Sequence, residues 1–424
     1  MKRMNLNISA LGTLILASLA VNLAAVPTAR AQDIDPEGVR EATVPVETPA
    51  ELAAPTVPPP ANELWTTASL DVLMAVIKDV ALEGLNPASY APDKLRTAID
   101  SGDAAIYGPL ATQIWLQLAH DFAFGHAPAA ARLDWHMDTL AGDPNEAMTS
   151  LNNALATGQL RATLYARLPN SPQYQALRDM LAKTPASKTE TIGQLRVSME
   201  RWRWMPRDFG SSFIFVNVPA FNVALVQDGR ALARHRIIVG KPKNPTPQLF
   251  VQATGVIINP TWTVPQSIIR ESVGELVTRH PKKARAQGYV TTIVNGQMQV
   301  VQGPGPSNAL GAMKLVMPNP YSIYLHDTPA KSLFENKVRA FSHGCIRTDQ
   351  ALRFASVMLR EVPGWTRAKI DQTVAGRKTT KVDLPRPFNV LITYLTAVAE
   401  DNGKLKTYPD IYGRDIPVLE ALDD

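Results

Sequence analysis

The 424-residue chain contains one cysteine, Cys345, so no internal disulfide can form and stability must come from packed cores. The same scarcity argues against a metal centre. Zinc usually takes three or four ligands, and the histidines at 120, 126, 136, 235 and 280 show no ligand spacing to the segment around Cys345. No cofactor is expected. Beyond residue 31 no apolar stretch is long enough to cross a bilayer. Nor is there a basic run interleaved with aromatics, so nucleic acid is not an expected partner. What is present is globular composition, 45% hydrophobic and 19% charged, in a chain long enough for two or three domains.

Residues 1–31 read as a cleaved secretory signal. Lys2 and Arg3 precede an apolar run from Ala10 to Val26, and Ala29-Arg30-Ala31 fits a small-x-small cleavage site. The alternative, an uncleaved anchor, suffers from the shortness of that run. The mature chain would begin at Gln32 in the periplasm. Loss of Lys2, Arg3 and Arg30 lowers the formal charge from +5 to +2. Residues 32–62 carry six acids and one base, which leaves +7 on the body from Glu63. A mildly basic exported body suits an anionic partner such as cell wall. Residues 32–62, rich in Pro, Glu, Ala and Thr, bury too little to offset their ordering entropy and read as a disordered linker.

From residue 63 to 181 the apolar period is helical. Leu70, Leu73, Met74, Ile77, Val80 and Ala81 form one face, and Ile114, Leu116, Leu118, Ala119 and Phe122 a second. Asp134 and His136 fall in the connection that follows, and the region shows no chemistry of its own. Residues 182–195 form a short polar connection, and a helix is predicted over Gln194–Trp204. From Ser211 the period becomes two, with strands in SSFIFVNVP, FNVALVQDG, ALARHRIIVG and FVQATGVIINP. Residues 265–287 read as helical, and YVTTIVNGQMQVVQG as a hairpin turning on Asn295-Gly296. GAMKLVMP, YSIYLHD and PFNVLITYLTAV are further strands, with a helix over Gln350–Val362. The class is α+β: a helical domain at 63–181, then a β-rich domain at 196–424.

The chemistry concentrates between His326 and Arg347, where LHDTP is followed by SHGCIR at 342–347. A thiol near pKa ~8.5 is only slightly ionised at neutral pH, and an adjacent imidazole activates it. His326 ends a strand, and Cys345 lies where a loop runs towards a helix expected near Thr348. Sheet pairing could bring the two together, and the helix dipole would favour a thiolate. Gly344 permits a tight turn whose N–H groups could face an oxyanion. Arg347 offers a two-pronged cation for a carboxylate. A Cys/His metal site and a purely structural cysteine are the competing readings.

The segment H-x15-S-H-G-C-I-R resembles the signature of the L,D-transpeptidases, the YkuD-type catalytic domain. The likeness extends to ERWRWMP, VNVPAFNVALV, NPTWTVPQSI, GPGPSNALGAMKLVMPN and DIYGRD, and residues 63–181, including GLNPASY, look like the scaffold domain of the large subgroup. That resemblance implies a β-sandwich-like catalytic domain with a cap over 265–305, and ping-pong acyl transfer through a cysteinyl thioester. Donor tetrapeptide stems, diaminopimelate acceptors and carbapenem-type inhibitors are the implied partners. Carried over, Cys345 is the nucleophile and His326 the base, oriented by the Asp327 carbonyl. His343 tunes the thiol or holds the loop, and Arg347 stands where many relatives have Asn. Ser342, Tyr324 and Arg339 are further expected substrate contacts. The connection at 182–195 is too short for the peptidoglycan-binding module that larger relatives insert. Three readings remain at this point: a cross-linking transpeptidase, an L,D-carboxypeptidase or cross-link hydrolase using the same thioester, and a non-catalytic wall scaffold.

Overall fold

The structure, a computed structural model, describes residues 64–138, 142–400 and 402–424. The expected signal and the expected linker lie outside them. The helical region comprises α1 (Thr67–Asp79), α2 (Pro92–Asp100), α3 (Ala104–Phe124), α4 (Pro144–Thr157), α5 (Leu160–Tyr165) and α6 (Pro172–Lys183). Thr66 starts α1: its hydroxyl accepts the Ser69 N–H while the Ser69 side chain answers the Thr66 N–H. The buried face of α1 is Leu70, Leu73, Val76 and Ile77, continued by Val80. Ala81, expected on it, is exposed, because the chain tightens into a 3-10 turn at Val80–Glu83 and the face rotates.

The next helix, α7 (Thr189–Trp204), starts inside the predicted connection, so residues 189–195 are helical. Tertiary burial accounts for this. Leu195, Val197, Met199, Trp202 and Trp204 pack into one core with α1, α3 and α6 side chains and with Leu391, Leu395, Val418 and Leu422 from the far end of the chain. The same helix buries charge. Glu200 accepts from Arg203 at 2.5 Å, Trp204 Nε1 at 2.9 Å and the Ala127 N–H at 2.8 Å. Glu83 accepts from Tyr174 at 2.9 Å and Arg178 at 2.5 Å, and Arg203 also donates to the Glu83 carbonyl. Arg201 points elsewhere, to Asp415 at 2.6 Å.

The strands are β1 (Trp135–His136), β2 (Ser212–Asn217), β3 (Asn222–Gln227), β4 (Arg230–Gly240), β5 (Gln248–Ile258), β6 (Trp262–Thr263), β7 (Tyr289–Val294), β8 (Gln297–Gln302), β9 (Met313–Val316), β10 (Leu325–His326), β11 (Ala340–Ser342), β12 (Ile346–Thr348) and β13 (Thr380–Thr393). The main sheet runs β1-β5-β13-β2-β3-β4-β12-β10-β9, and β9 pairs again with β5. The expected sandwich-like form is thus one sheet closed on itself, around a core that includes Val216, Val239, Val256, Leu315, Leu325 and Ile346. Strands β6, β7 and β8 form a second small sheet. With the helical segments of 266–286 it makes a layer with its own core of Trp262, Val264, Ile269, Val273, Val300 and Leu310. The predicted cap region falls within this layer. Asn295 and Gly296 both take positive φ at the hairpin tip.

Two segments depart from their sequence patterns. In YSIYLHD only Leu325–His326 pair as strand. Asn319 gathers the rest into a loop: its side chain accepts from the Tyr321 and Ile323 N–H groups and donates to the Ile323 carbonyl. After Cys345 the chain enters strand β12, and the helix begins only at Ala351. Cys345 therefore does not sit at a helix N-terminus, and no dipole acts on its thiol from there. Helices at Arg367–Ala375 and Ile416–Asp423 were not legible as separate elements.

Removing Glu200 strands Arg203 as an unpaired buried cation. Glu200→Ala should cost about 3–5 kcal/mol, the usual scale for breaking one side of a buried pair, seen as a lowered urea midpoint. An unchanged midpoint would show that this network carries no stability.

Candidate active site

Strands β10 and β12 run parallel with Leu325 opposite Ile346 and His326 opposite Arg347. Leu325 and Ile346 point into the core. Alternation then sends Tyr324, His326, Cys345 and Arg347 to the other face. On the far side of β10, β9 pairs Lys314 with His326, which adds Lys314 to that face. The cap core packs against Tyr324.

His326 is buried. Its Nδ1 lies 2.5 Å from the Asp327 carbonyl oxygen. A carbonyl can only accept, so Nδ1 carries the proton and Nε2 keeps its lone pair. Burial, followed by the nearby Arg347 cation, lowers the imidazole pKa to about 3. The ring is neutral across the physiological range. Asp327 contributes only its carbonyl here: its carboxylate accepts from the Ala312 N–H at 2.9 Å and pairs with Lys331.

Cys345 is half-buried, and burial pushes its thiol up. The Tyr324 N–H, the Lys314 cation, the Tyr324 phenol and Arg347 all pull the other way. Sγ lies 3.5 Å from the Ser322 carbonyl oxygen, and among the described residues no hydrogen bond joins it to His326. Catalytic hydrogen bonds often close only when substrate is bound. Tyr324 touches both: its ring is edge-on to the His326 ring at 5.7 Å, and its phenol interacts with the Cys345 thiol.

The turn before the thiol is held from within. Gly344 has φ +109, and an added Cβ would meet Ile323 at 3.1 Å. Ser342 Oγ donates to the Cys345 carbonyl at 2.6 Å and accepts the Gly344 N–H at 3.1 Å. Ser342 is therefore a brace of the turn, buried rather than open to substrate. It also removes the Gly344 N–H as an oxyanion donor, while the Cys345 N–H finds no acceptor among the described residues. Thr246 Oγ1 donates to the Gly344 carbonyl at 2.7 Å. Arg339, expected at the substrate, spends its guanidinium on the carbonyls of Ile237, Asn336 and Phe221 and lies over the Phe221 ring. These three bonds help fix the approach to β11.

The two motif histidines part company. His343 makes no hydrogen bond to His326 or to the thiol among the described residues: its Nε2 is 2.7 Å from Glu271 in the cap and 3.3 Å from Lys241 Nζ. Lys241 also pairs with Glu271 at 3.0 Å. Glu271 sits in a single π-helical turn, Ile269–Val273, a local geometry often found at functional sites. The motif histidine thus ties the nucleophile turn to the cap.

Sequence reasoning missed Lys314, Thr246 and the Glu271–Lys241 pair. The MKLV alternation within β9 was a signal for Lys314. For the others none existed, since they approach from distant segments. His136, set aside as having no chemistry, stacks on Tyr321 at 4.3 Å between ring centroids, in the loop leading to β10.

A half-buried thiol and a neutral imidazole thus share one sheet face beneath the cap. Residues 211–383 match the model of the L,D-transpeptidase catalytic domain, YkuD, and residues 61–181 match that of the Scaffold domain. The chain thus carries a YkuD L,D-transpeptidase catalytic domain behind a Scaffold domain. A protein of Haemophilus influenzae assigned by name to the L,D-transpeptidases is 33% identical over 261 residues, covering 57% of this chain and 52% of that protein. The chain spans about half the length of this curated relative. Among solved structures, the L,D-transpeptidase from Mycobacterium smegmatis overlaps at 14% identity and TM-score 0.23, covering 43% of this chain and 58% of that one. The ertapenem-acylated catalytic domain from E. faecium overlaps at 12% identity and TM-score 0.23, covering 44% of this chain and 99% of that one. Overlaps at these scores bear on neither substrate nor mechanism.

The buried imidazole has a consequence for acid stability. Unfolded, His326 takes up a proton below its ordinary pKa of about 6.5; folded, it does so only near pH 3. Between these values the unfolded chain binds more protons, so stability is lost as pH falls through that window. Urea midpoints measured from pH 7 to pH 4 should fall less steeply for His326→Gln than for wild type. Parallel curves would show that His326 is not held neutral by the fold.

Proposed function

We propose that this chain is a peptidoglycan L,D-transpeptidase, exported to the periplasm, that cross-links stem peptides through a thioester on Cys345. The observation that carries the proposal is the β10–β12 register, with His326, Tyr324, Cys345 and Arg347 on one capped face. The matching YkuD and Scaffold domains support it.

His326 Nε2 accepts the thiol proton as Cys345 Sγ attacks the carbonyl of the bond between an L-centre and a terminal D-alanine. The negative oxygen of the tetrahedral intermediate faces the Cys345 N–H. Collapse breaks the C–N bond, and His326 returns the proton to the leaving D-alanine amine. The side-chain amine of a diaminopimelate on a second stem then attacks the thioester. His326 removes a proton from that amine, and the thiol is regenerated. Arg347 holds a donor carboxylate, a role that fits its lack of an acidic partner among the described residues.

Cys345→Ala should remove the single covalent adduct that intact-mass measurement finds after mixing wild type with ertapenem; an adduct on the variant would overturn the nucleophile. His326→Ala should slow acylation on the order of 10²–10⁴-fold, the scale of general-base catalysis. His343→Ala should cost less, because it loosens a cap contact rather than removing the base. The reverse order of effects would transfer the base to His343.

A further inference from the structure

The alternation Met313-Lys314-Leu315 puts the two flanking side chains in the core and Lys314 on the cleft face. Its Nζ lies 3.7 Å from the centroid of the Tyr324 ring, an attractive position for a cation. It is half-buried, and no carboxylate pairs with it among the described residues. The nearest candidate by sequence, Asp327, is already engaged by Ala312 and Lys331. Holding an unpaired ammonium out of water is unfavourable unless a negative charge forms beside it.

We propose that Lys314 is a positioning residue for the reaction: seated on the Tyr324 ring, its ammonium stabilises the negative charge that develops on Cys345 Sγ as the thiol proton leaves. Titratable and charged groups reach the thiol from several elements. They are Tyr324 just before β10, His326 of β10, Lys314 of β9 and Arg347 of β12, with the Lys241–Glu271–His343 cluster joining the nucleophile turn to the cap. Of these, Tyr324 is held neutral by burial, its phenol pushed far up. His326 is neutral as well. The cations remain, and Lys314 lowers the thiol more than Arg347 does. In turn the thiolate favours the charged ammonium, against the burial that pulls Lys314 down.

The proposal rests on Cys345 as the nucleophile, but its test needs no stem peptide. Cys345 is the sole cysteine, so intact mass reports its alkylation by iodoacetamide without ambiguity. Rates would be followed from pH 6 to pH 10 for wild type, Lys314→Gln, Lys314→Met and Lys314→Arg, each first checked for a cooperative melt. The two neutral variants should react about tenfold more slowly at neutral pH, the change expected for one pKa unit. Their profiles should be displaced to higher pH, and Lys314→Arg should keep the wild-type profile. An undisplaced profile in a folded neutral variant, or equal displacement in Lys314→Arg, overturns the proposal. Cross-linking activity is read separately. A displaced profile in a protein that joins no stems would leave this role standing and remove the transpeptidase reading; an undisplaced profile in an active enzyme would do the opposite.

Discussion

The site depends on the register between β10 and β12. With Leu325 opposite Ile346, two apolar residues enter the core, and the thiol, phenol, imidazole and guanidinium share the opposite face. A slip of one residue would turn the slipped strand over, sending Leu325 or Ile346 to the outer face and His326 or Cys345 into the apolar core. The burial of those two residues in the closed sheet opposes such a slip. The antiparallel partner β9 extends the same logic to Lys314. Packing in the core thus sets the geometry of the candidate site outside it.

A second line of support starts in α7 and ends at the nucleophile turn. Arg201 pairs with Asp415; the adjacent Arg414 donates to the Thr246 carbonyl at 3.1 Å; Thr246 bonds the Gly344 carbonyl. Arg414 also pairs with Asp134, and Tyr412 donates to the Gly240 carbonyl at 2.6 Å. Segments from the helical region, the C-terminal tail and the sheet therefore converge behind Gly344. The helical region is structurally involved in the site, through Asp134 and through His136 on Tyr321, and is more than a spacer.

Much of this was legible in sequence because it is local. The strands from Ser212 to Ile258 followed a period of two, and Asn295-Gly296 announced its hairpin. The pairing of His326 with its own neighbour's carbonyl needs no long-range information. What failed was contact between distant segments. Arg339 looked available as a polar residue near a thiol, but it donates to the carbonyls of Ile237 and Phe221, which only the fold brings close; Ser342 is taken up locally, by the turn it braces. The helix expected to start near Thr348 was displaced by the pairing of Ile346–Thr348 with β4 and β10, a tertiary override of a local pattern. Lys314 was hidden for the opposite reason: its strand was read correctly, but which strand lies beside β10 is set by topology.

The face carries two cations, Lys314 and Arg347, with no carboxylate paired to either among the described residues, which would suit the anionic stem of the proposed reaction. In the proposed reaction, how well the cap excludes water would decide whether an amine or water resolves the thioester, and the Glu271–His343 contact links the cap to the turn. The most direct test of the central claim is incubation of the protein with purified disaccharide tetrapeptide, followed by mass spectrometry of the products. The account predicts dimers joined between two diaminopimelates, with one D-alanine released per cross-link, and none from Cys345→Ala. Tripeptide without dimer would give the thioester to water, and unchanged tetrapeptide would contradict the account altogether.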